Sequence, residues 1–532
     1  MTTFEDRLAV VDARLTRFGE EAKVPGVAWG VIHAGELVHT AGTGTIRDGE
    51  DAPPDADSVY RIASMTKSFT AAAILLLRDE GRLRLDDPVA DHVPALASWR
   101  LPTTDSGPVT IRDLLTMSSG LPTDDPWGDR QQGLPLHDFA ELLGEGPAFA
   151  WPPGVIFEYS NLGYGILGRV VTGASGQEYR EFVRDRMLAP LGMTATGYLE
   201  EEVPTERLAH GYVRQDEALV REGTDPYGAL ASMGGVFTSI RDLAVWVAGF
   251  LDAFPARDEP EGSHPLRRAS RREMQQLHRL IPASTDAHPA HAAPMSVAAG
   301  YGYGLIVRSD VELGTFVSHG GGYPGFGTQM AWHPASGLGL IGFANLRYGR
   351  IHPVVAEQLT ELVRADVAPS RRARPTGETE RMRAVVEGLL ATWADEVADE
   401  TFAMNMDLDE PRARRRAAIE KIAADLGPFR PDETGPPVSD SPFHLAWWLR
   451  GERGRVRVSI LLSPEPHPRL QSLTITEVPD PSGQLEAAAE AVIAATNEPA
   501  PLWPAGLERR PDLDVAVLER SMGAAAARFG RL

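Results

Sequence analysis

The sequence predicts an α+β protein: an antiparallel sheet flanked by helices, an all-helical subdomain inserted in it at about residues 83–300, and a smaller C-terminal α+β domain. Three observations predict it. Apolar strand-like runs gather at residues 26–44 and again at 302–346, with mainly helical signals between. Strands at both ends of a unit, with helices between, describe one sheet completed by a late return of the chain. "APSRRARPTGET" (368–379) is polar and rich in Pro and Arg, so residues 1–367 form one domain, 368–378 a linker and 379–532 a second. At 532 residues the chain exceeds what a single core accommodates.

Taken in order, residues 5–21 form an amphipathic helix. "GVAWGVIHAGELVHTAGTG" (26–44) is two apolar runs around His33-Ala34-Gly35, a hairpin. A helix spans 64 to about 80. Its Met65, Phe69, Ala72 and Leu76 step by four, three and four residues, the spacing of a buried stripe, and Gly81 closes it. "TIRDLLTMSSGLP" (110–122) is a short helix stopped by Gly120 and Pro122. "NLGYGILGRVVTGASG" (161–176) is a buried helix, and "SIRDLAVWVAGFL" (239–251) is amphipathic with Ser239 as N-cap. One more helix is expected near 268–280, among Pro-, Ala- and His-rich loops.

Strands follow at 302–309, 314–321, 328–334 and 337–346, then a helix at about 353–366. Beyond the linker come helices at about 379–398 and 410–425, the strands "FHLAWWLRG", "GRVRVSILLS" and "RLQSLTITEV", and helices near 484–496 and 513–528. "RVRVSI" alternates as a strand with one wet face does. Adjacent Trp447 and Trp448 place one ring inward and the other outward or into an interface.

Composition excludes several function classes. The formal net charge of -22 argues against nucleic acid and anionic membrane surfaces as partners, since both reward clustered Lys and Arg. Without cysteine there is no disulfide, no cysteine-ligated zinc, no iron–sulfur cluster and no thiol nucleophile. "MTTFEDRLAVVDARLTRFGEEAKVPG" lacks the apolar stretch of a signal peptide, and no run of 18 apolar residues occurs, so the expected location is the cytoplasm.

The chain has three lysines, Lys23, Lys67 and Lys421, against many arginines. Arginine replaces lysine as a surface charge but not as a proton acceptor, because guanidinium does not deprotonate in proteins. Lys67 lies three residues after Ser64, on the same helix face. Burial would lower its pKa, and the neutral amine could then take the serine proton. The competing reading is a Ser N-cap with a snorkelling Lys. In "FEYSNLGYG", Tyr159 and Asn161 flank Ser160 and could enter one pocket together; the competing reading is a loop Tyr and an Asn helix cap. In "VSHGGGYPGFG", His319 runs into Gly320, Gly321 and Gly322, whose unobstructed N–H groups suit an oxyanion donor; the competing reading is a glycine-rich turn. "HPAHAA" (288–293) is read as loop histidines, not a ligand set, and "SMGGVFTS" (232–239) as a glycine-rich cleft wall. No metal or cofactor is expected.

Together these three patterns follow the order of the penicillin-recognising serine enzymes. "YRIASMTKSFTAAAILLLRDEGRLRLDDPVADHVP", "TIRDLLTMSSGLP", "FEYSNLGYGILGRVV", "LASMGGVFTSIRDLAVW" and "SHGGGYPGFGTQMAWHP" resemble the class C β-lactamase, peptidase family S12 and family VIII esterase type over about residues 1–366. The resemblance implies a β-lactamase/transpeptidase-like fold. It implies Ser64 as acylated nucleophile, Lys67 as its base, and Tyr159 as second acid/base, protonating the leaving group and later activating water. Asn161 would orient Lys67 and the substrate, with His319, Gly320 and Gly321 beside it, and the N–H groups of Ser64 and Gly322 would form the oxyanion hole. His319-Gly-Gly departs from the Lys-Thr-Gly of β-lactamases, which holds a substrate carboxylate, and resembles D-aminopeptidases and serine esterases of the superfamily.

The expected function is therefore a serine acyl hydrolase acting on small esters, amides or short D-residue-containing peptides. An acyltransferase of the peptide-cyclising thioesterase type and a non-catalytic penicillin-binding-like sensor or scaffold are the alternatives. A homo-oligomer through the C-terminal domain is a further expectation.

Overall fold

The computed structural model describes residues 3–216, 218–282, 297–310, 312–366, 375–432, 435 and 437–478. The chain divides into two units, Met1–Ser370 and Arg371–Leu532. The first begins α1 (Phe4–Glu21), β1 (Gly26–His33), β2 (Glu36–Gly44), β3 (Val59–Arg61) and α2 (Thr66–Asp79), with a 3₁₀ turn at Ala63–Met65 before α2. Next come α3 (Ile111–Leu115), α4 (Asp125–Gly128), α5 (Leu136–Glu145), α6 (Asn161–Ser175), α7 (Tyr179–Val183) and α8 (Ala189–Leu191). The ribbon β4 (Gly211–Gln215) and β5 (Ala218–Glu222) leads to α9 (Ala231–Gly234), β6 (Phe237–Ser239), α10 (Ile240–Asp252) and α11 (Arg268–Met274). Then β7 (Arg279–Leu280), β8 (Val297–Tyr301), β9 (Ile306–Asp310), β10 (Gly314–Tyr323), β11 (Phe326–His333), β12 (Leu338–Ala344) and α12 (His352–Asp366) complete the unit.

The main sheet is antiparallel in the order β2-β1-β12-β11-β10-β9-β8-β7. The early hairpin joins the late strands where Val27 pairs with Ala344. The uninterrupted apolar character of "GVAWGVI" follows from burial on both faces. Val27, Trp29 and Val31 pack with Val11 and Leu15 of α1 and Leu359 of α12. Ala28 and Ile32 turn to the other face, into the large core with Phe69 of α2, Leu167 of α6 and Trp246 of α10. α2 thus enters the molecule between sheet and helices, which explains its nearly continuous burial from Thr66 to Leu77.

Several expectations shift. The inserted subdomain is helical in the main, but it also carries the β4–β5 ribbon and strand β6, which pairs with β3 outside it. The helix expected at 268–280 ends at Met274, and Arg279–Leu280 is already strand β7. The run expected as a strand at 302–309 is strand only from Ile306; Gly304, with a left-handed φ of 67°, turns the chain just before it. "HPAHAA" lies outside the described residues.

In the second unit, α13 (Gly377–Ala391), α14 (Asp395–Thr401), α15 (Met406–Asp409) and α16 (Arg412–Leu426) precede β13 (Arg430–Pro431), β14 (His444–Arg450), β15 (Arg455–Leu462) and β16 (Leu470–Val478). The four strands form an antiparallel meander in chain order. β15 alternates as its sequence does, burying Val456, Val458, Ile460 and Leu462. Trp447 faces this core while Trp448 turns outward under the Arg455 guanidinium, 4.6 Å from its ring centre. The helices expected near 484–496 and 513–528 lie outside the described residues. Among the described residues no helix is long and apolar enough to cross a membrane.

Candidate active site

Ser64 sits in the 3₁₀ turn between β3 and α2, directly after Ala63, whose φ of 50° is left-handed. A non-glycine residue there is strained, and such strain gathers at functional sites. The N-cap of α2 is Met65, with no side-chain cap. The Ser64 hydroxyl is therefore not used as a helix cap. It faces the Lys67 amine, with Nζ 2.9 Å from Oγ.

Lys67 is fully buried. Its Nζ also lies 2.7 Å from Asn161 Oδ1 and 2.9 Å from the Met233 carbonyl. Burial pulls its pKa down from 10.5 to about 8, against the opposing pull of Asp125, Asp129 and Asp124. A neutral amine has two hydrogens and one lone pair. The two carbonyl-type oxygens can only accept, so they take both hydrogens and the lone pair is left for the Ser64 hydroxyl.

Asn161 is held just as firmly. It is the first residue of α6, whose cap is Ser160, the Ser160 hydroxyl accepting from Gly163 N at 3.1 Å. The reading of Asn161 as the cap itself therefore fails. Asp124 accepts from the N–H groups of Asn161 (2.6 Å) and Leu162 (2.8 Å). Asp125 accepts from Asn161 Nδ2 at 2.7 Å, which fixes the amide with its oxygen toward Lys67. α4 comes so close that a Cβ on Gly128 would stand 2.7 Å from that of Asn161.

Tyr159 precedes this helix. Its ring centre is 5.0 Å from Lys67 Nζ, and its hydroxyl interacts with that of Ser64. Burial, reinforced by the Asp125 charge, raises its pKa well above 10, so the phenol keeps its proton.

β10 supplies the opposite wall. His319 is 2% exposed and meets the Tyr301 hydroxyl at 3.0 Å through Nε2, while Nδ1 donates to the Gly320 carbonyl at 2.6 Å. Burial and the neighbouring Lys67 lower its pKa to about 3. The ring is therefore neutral near neutral pH. Gly320 and Gly322 line the cleft. Gly321, expected beside the substrate, is not part of that lining. Its missing side chain lets β10 pass the Ile62 backbone, since a Cβ there would lie 2.1 Å from Ile62 O. This close approach brings residues 320–322 beside the Ser64 turn. "SMGGVFTS" is buried throughout and lies outside the cleft lining; it reaches the site only through the Met233 carbonyl on Lys67, so the cleft-wall reading gives way to packing before α10.

The cleft has a volume of about 480 Å³ and is also lined by Asp125, Pro126, Asp129, Ile306, Tyr348 and His352. The two aspartates, Tyr348 and His352 were not singled out from the sequence. The run "DDPWGD" (124–129), three carboxylates in a loop bounded by Pro122 and Gly133, was the signal available. Among the described residues no group of three or more His, Cys, Asp or Glu is placed to hold a metal ion.

This fold and this Ser–Lys–Tyr–Asn arrangement define a protein of the β-lactamase/transpeptidase-like superfamily. The profile of the Beta-lactamase family matches residues 11–364, and the chain belongs to that family. Protein flp of Staphylococcus aureus (strain NCTC 8325 / PS 47) is 26% identical over 346 residues, covering 65% of this chain and 64% of that protein, so the chain spans under two thirds of that relative's length. The D-alanyl-D-alanine-carboxypeptidase/endopeptidase AmpH of Escherichia coli (strain K12) is 26% identical over 336 residues, covering 59% of this chain and 77% of that protein. Among solved structures, the octameric penicillin-binding protein homologue from Pyrococcus abyssi superposes with a TM-score of 0.56 at 23% identity, covering 89% of this chain and 96% of that one. A penicillin binding protein from Bacillus halodurans gives 0.51 at 25%, covering 64% and 98%.

Proposed function

We propose that the protein is a serine hydrolase that cleaves esters or amides, short D-residue-containing peptides included, through an acyl-enzyme on Ser64. The observation that carries this is the Lys67 amine, 2.9 Å from Ser64 Oγ and held near pKa 8 by burial. As Oγ attacks the acyl carbon, its proton passes to Lys67 Nζ. Tyr159, which keeps its proton, serves as the acid for the leaving group and is reprotonated at Lys67's expense. Ser64 N–H and Gly322 N–H take the oxyanion. Water then attacks the acyl carbon, and its proton returns through the same groups to Ser64. The D-residue preference draws on the likeness to AmpH, and an oligomeric state draws on the Pyrococcus abyssi relative.

A fluorescent fluorophosphonate tests the reading. It should label the protein at Ser64, as mapped by mass spectrometry of the adduct peptide. Ser64→Ala should lose both the label and ester turnover. Turnover that survives in Ser64→Ala would overturn the proposal.

A further inference from the structure

We infer that the cleft selects acyl groups carrying a positive charge, an ammonium or quaternary amine held by the carboxylates of Asp125 and Asp129. This rests on the acyl-hydrolase reading above and names the substrate class of that same site. The cleft lining contains two carboxylates and no arginine or lysine. Lys67 lies behind it with its nitrogen committed to Ser64, Asn161 and Met233. The guanidinium groups of Arg130 and Arg347 both pair with Glu222. Asp125 gives one oxygen to the Asn161 amide, and Asp129 one oxygen to the Tyr348 hydroxyl at 2.8 Å. Among the described residues neither aspartate forms an ion pair, so the second oxygen of each remains for a donor.

The rest of the lining is short of donors too. His352 donates through Nδ1 to the Thr328 carbonyl at 3.1 Å, which leaves its other ring nitrogen as an acceptor. His319 is neutral, so no cation replaces the one that a carboxylate-bearing substrate would need. The cation belongs on the acyl side, because Asp125 grips Asn161 and Tyr348 packs over Gly322. The net charge of -22 adds a long-range field of the same sign.

Three p-nitrophenyl esters on the full-length protein test this: the 4-(trimethylammonio)butyrate, its neutral isostere 5,5-dimethylhexanoate, and the anionic hydrogen glutarate. The expected order of kcat/KM is cationic, neutral, anionic, with the first exceeding the second about ten- to hundredfold, the worth of a Coulombic pair near a protein surface. That ratio, taken within each variant so that any general loss cancels, should fall toward one in Asp129→Asn and in Asp125→Asn/Asp129→Asn. A neutral or anionic preference, or a cationic preference that survives the double variant, overturns the inference. Fluorophosphonate labelling separates the two levels. Label at Ser64 with no charge preference sinks only this inference, whereas absent label and absent turnover of all three esters sink the hydrolase reading and this one with it.

Discussion

Two helices begin at the cleft, and they begin in opposite ways. α2 starts with no side-chain cap and no acidic residue in its first turn. α6 starts with a Ser160 cap and with Asp124 accepting from two of its first N–H groups. The positive end of a helix dipole favours negative charge, and a capping carboxylate uses that potential up. At α6 it is spent on position: Tyr159 and Asn161 are locked. At α2 it remains for charge developing beside Ser64. The site thus divides a rigid end from a reactive one.

The largest effect should come from the reactive end. Lys67→Arg keeps the charge but removes the lone pair, and Ser64 acylation should fall by at least about 10³-fold. Stopped-flow acylation with an activated ester would show it, and retained activity would put the base elsewhere. At the rigid end, Asp124→Ala should cost about 1–2 kcal/mol of stability, the worth of a helix cap. It should also lower kcat by about tenfold as Asn161 loosens its hold on Lys67. Thermal denaturation and steady-state kinetics read both; a variant with normal stability and kcat would mean that α6 is held by other contacts.

The third effect, on stability alone, concerns a carboxylate between the two ends. Burial pushes the Asp129 carboxyl up from 3.8 to about 6. Between these values the folded protein binds a proton that the unfolded chain has released. Its contribution to stability is therefore fully present below about pH 4 and lost as pH rises through about 6. Asp129→Asn cannot ionise and can still accept from Tyr348. It should gain about 1–3 kcal/mol over the wild type at pH 7 and nothing at pH 4. Urea denaturation at the two pH values decides; a loss at pH 7 would refute the account. Such a gain fits a carboxylate kept for binding at a cost in stability.

What was legible in the sequence follows from distance along the chain. Ser64 and Lys67 are one turn apart, and Tyr159 and Asn161 two residues apart, so local periodicity placed each pair on one side. Strand β12 announced itself by the apolar run "LGLIGFA". Strand β7, two residues long, and the left-handed Gly304 leave no such trace. Asp125 reaches Asn161 across 36 residues, and Tyr348 reaches Asp129 across 219. No spacing rule spans those intervals, so the acidic wall emerged only with the fold. His319 was located by its glycines, but its charge state depends on burial against Tyr301 and Lys67, which composition does not record.

The central claim is that a buried, neutral Lys67 is the base for Ser64. The pH dependence of Ser64 acylation by a neutral activated ester, measured as kcat/KM, tests it most directly. Lys67 loses its proton as pH rises through about 8, so the rate should climb tenfold per unit below that value and level off above it. A rate that is flat from pH 6 to 9, or that falls across pH 8, would contradict it.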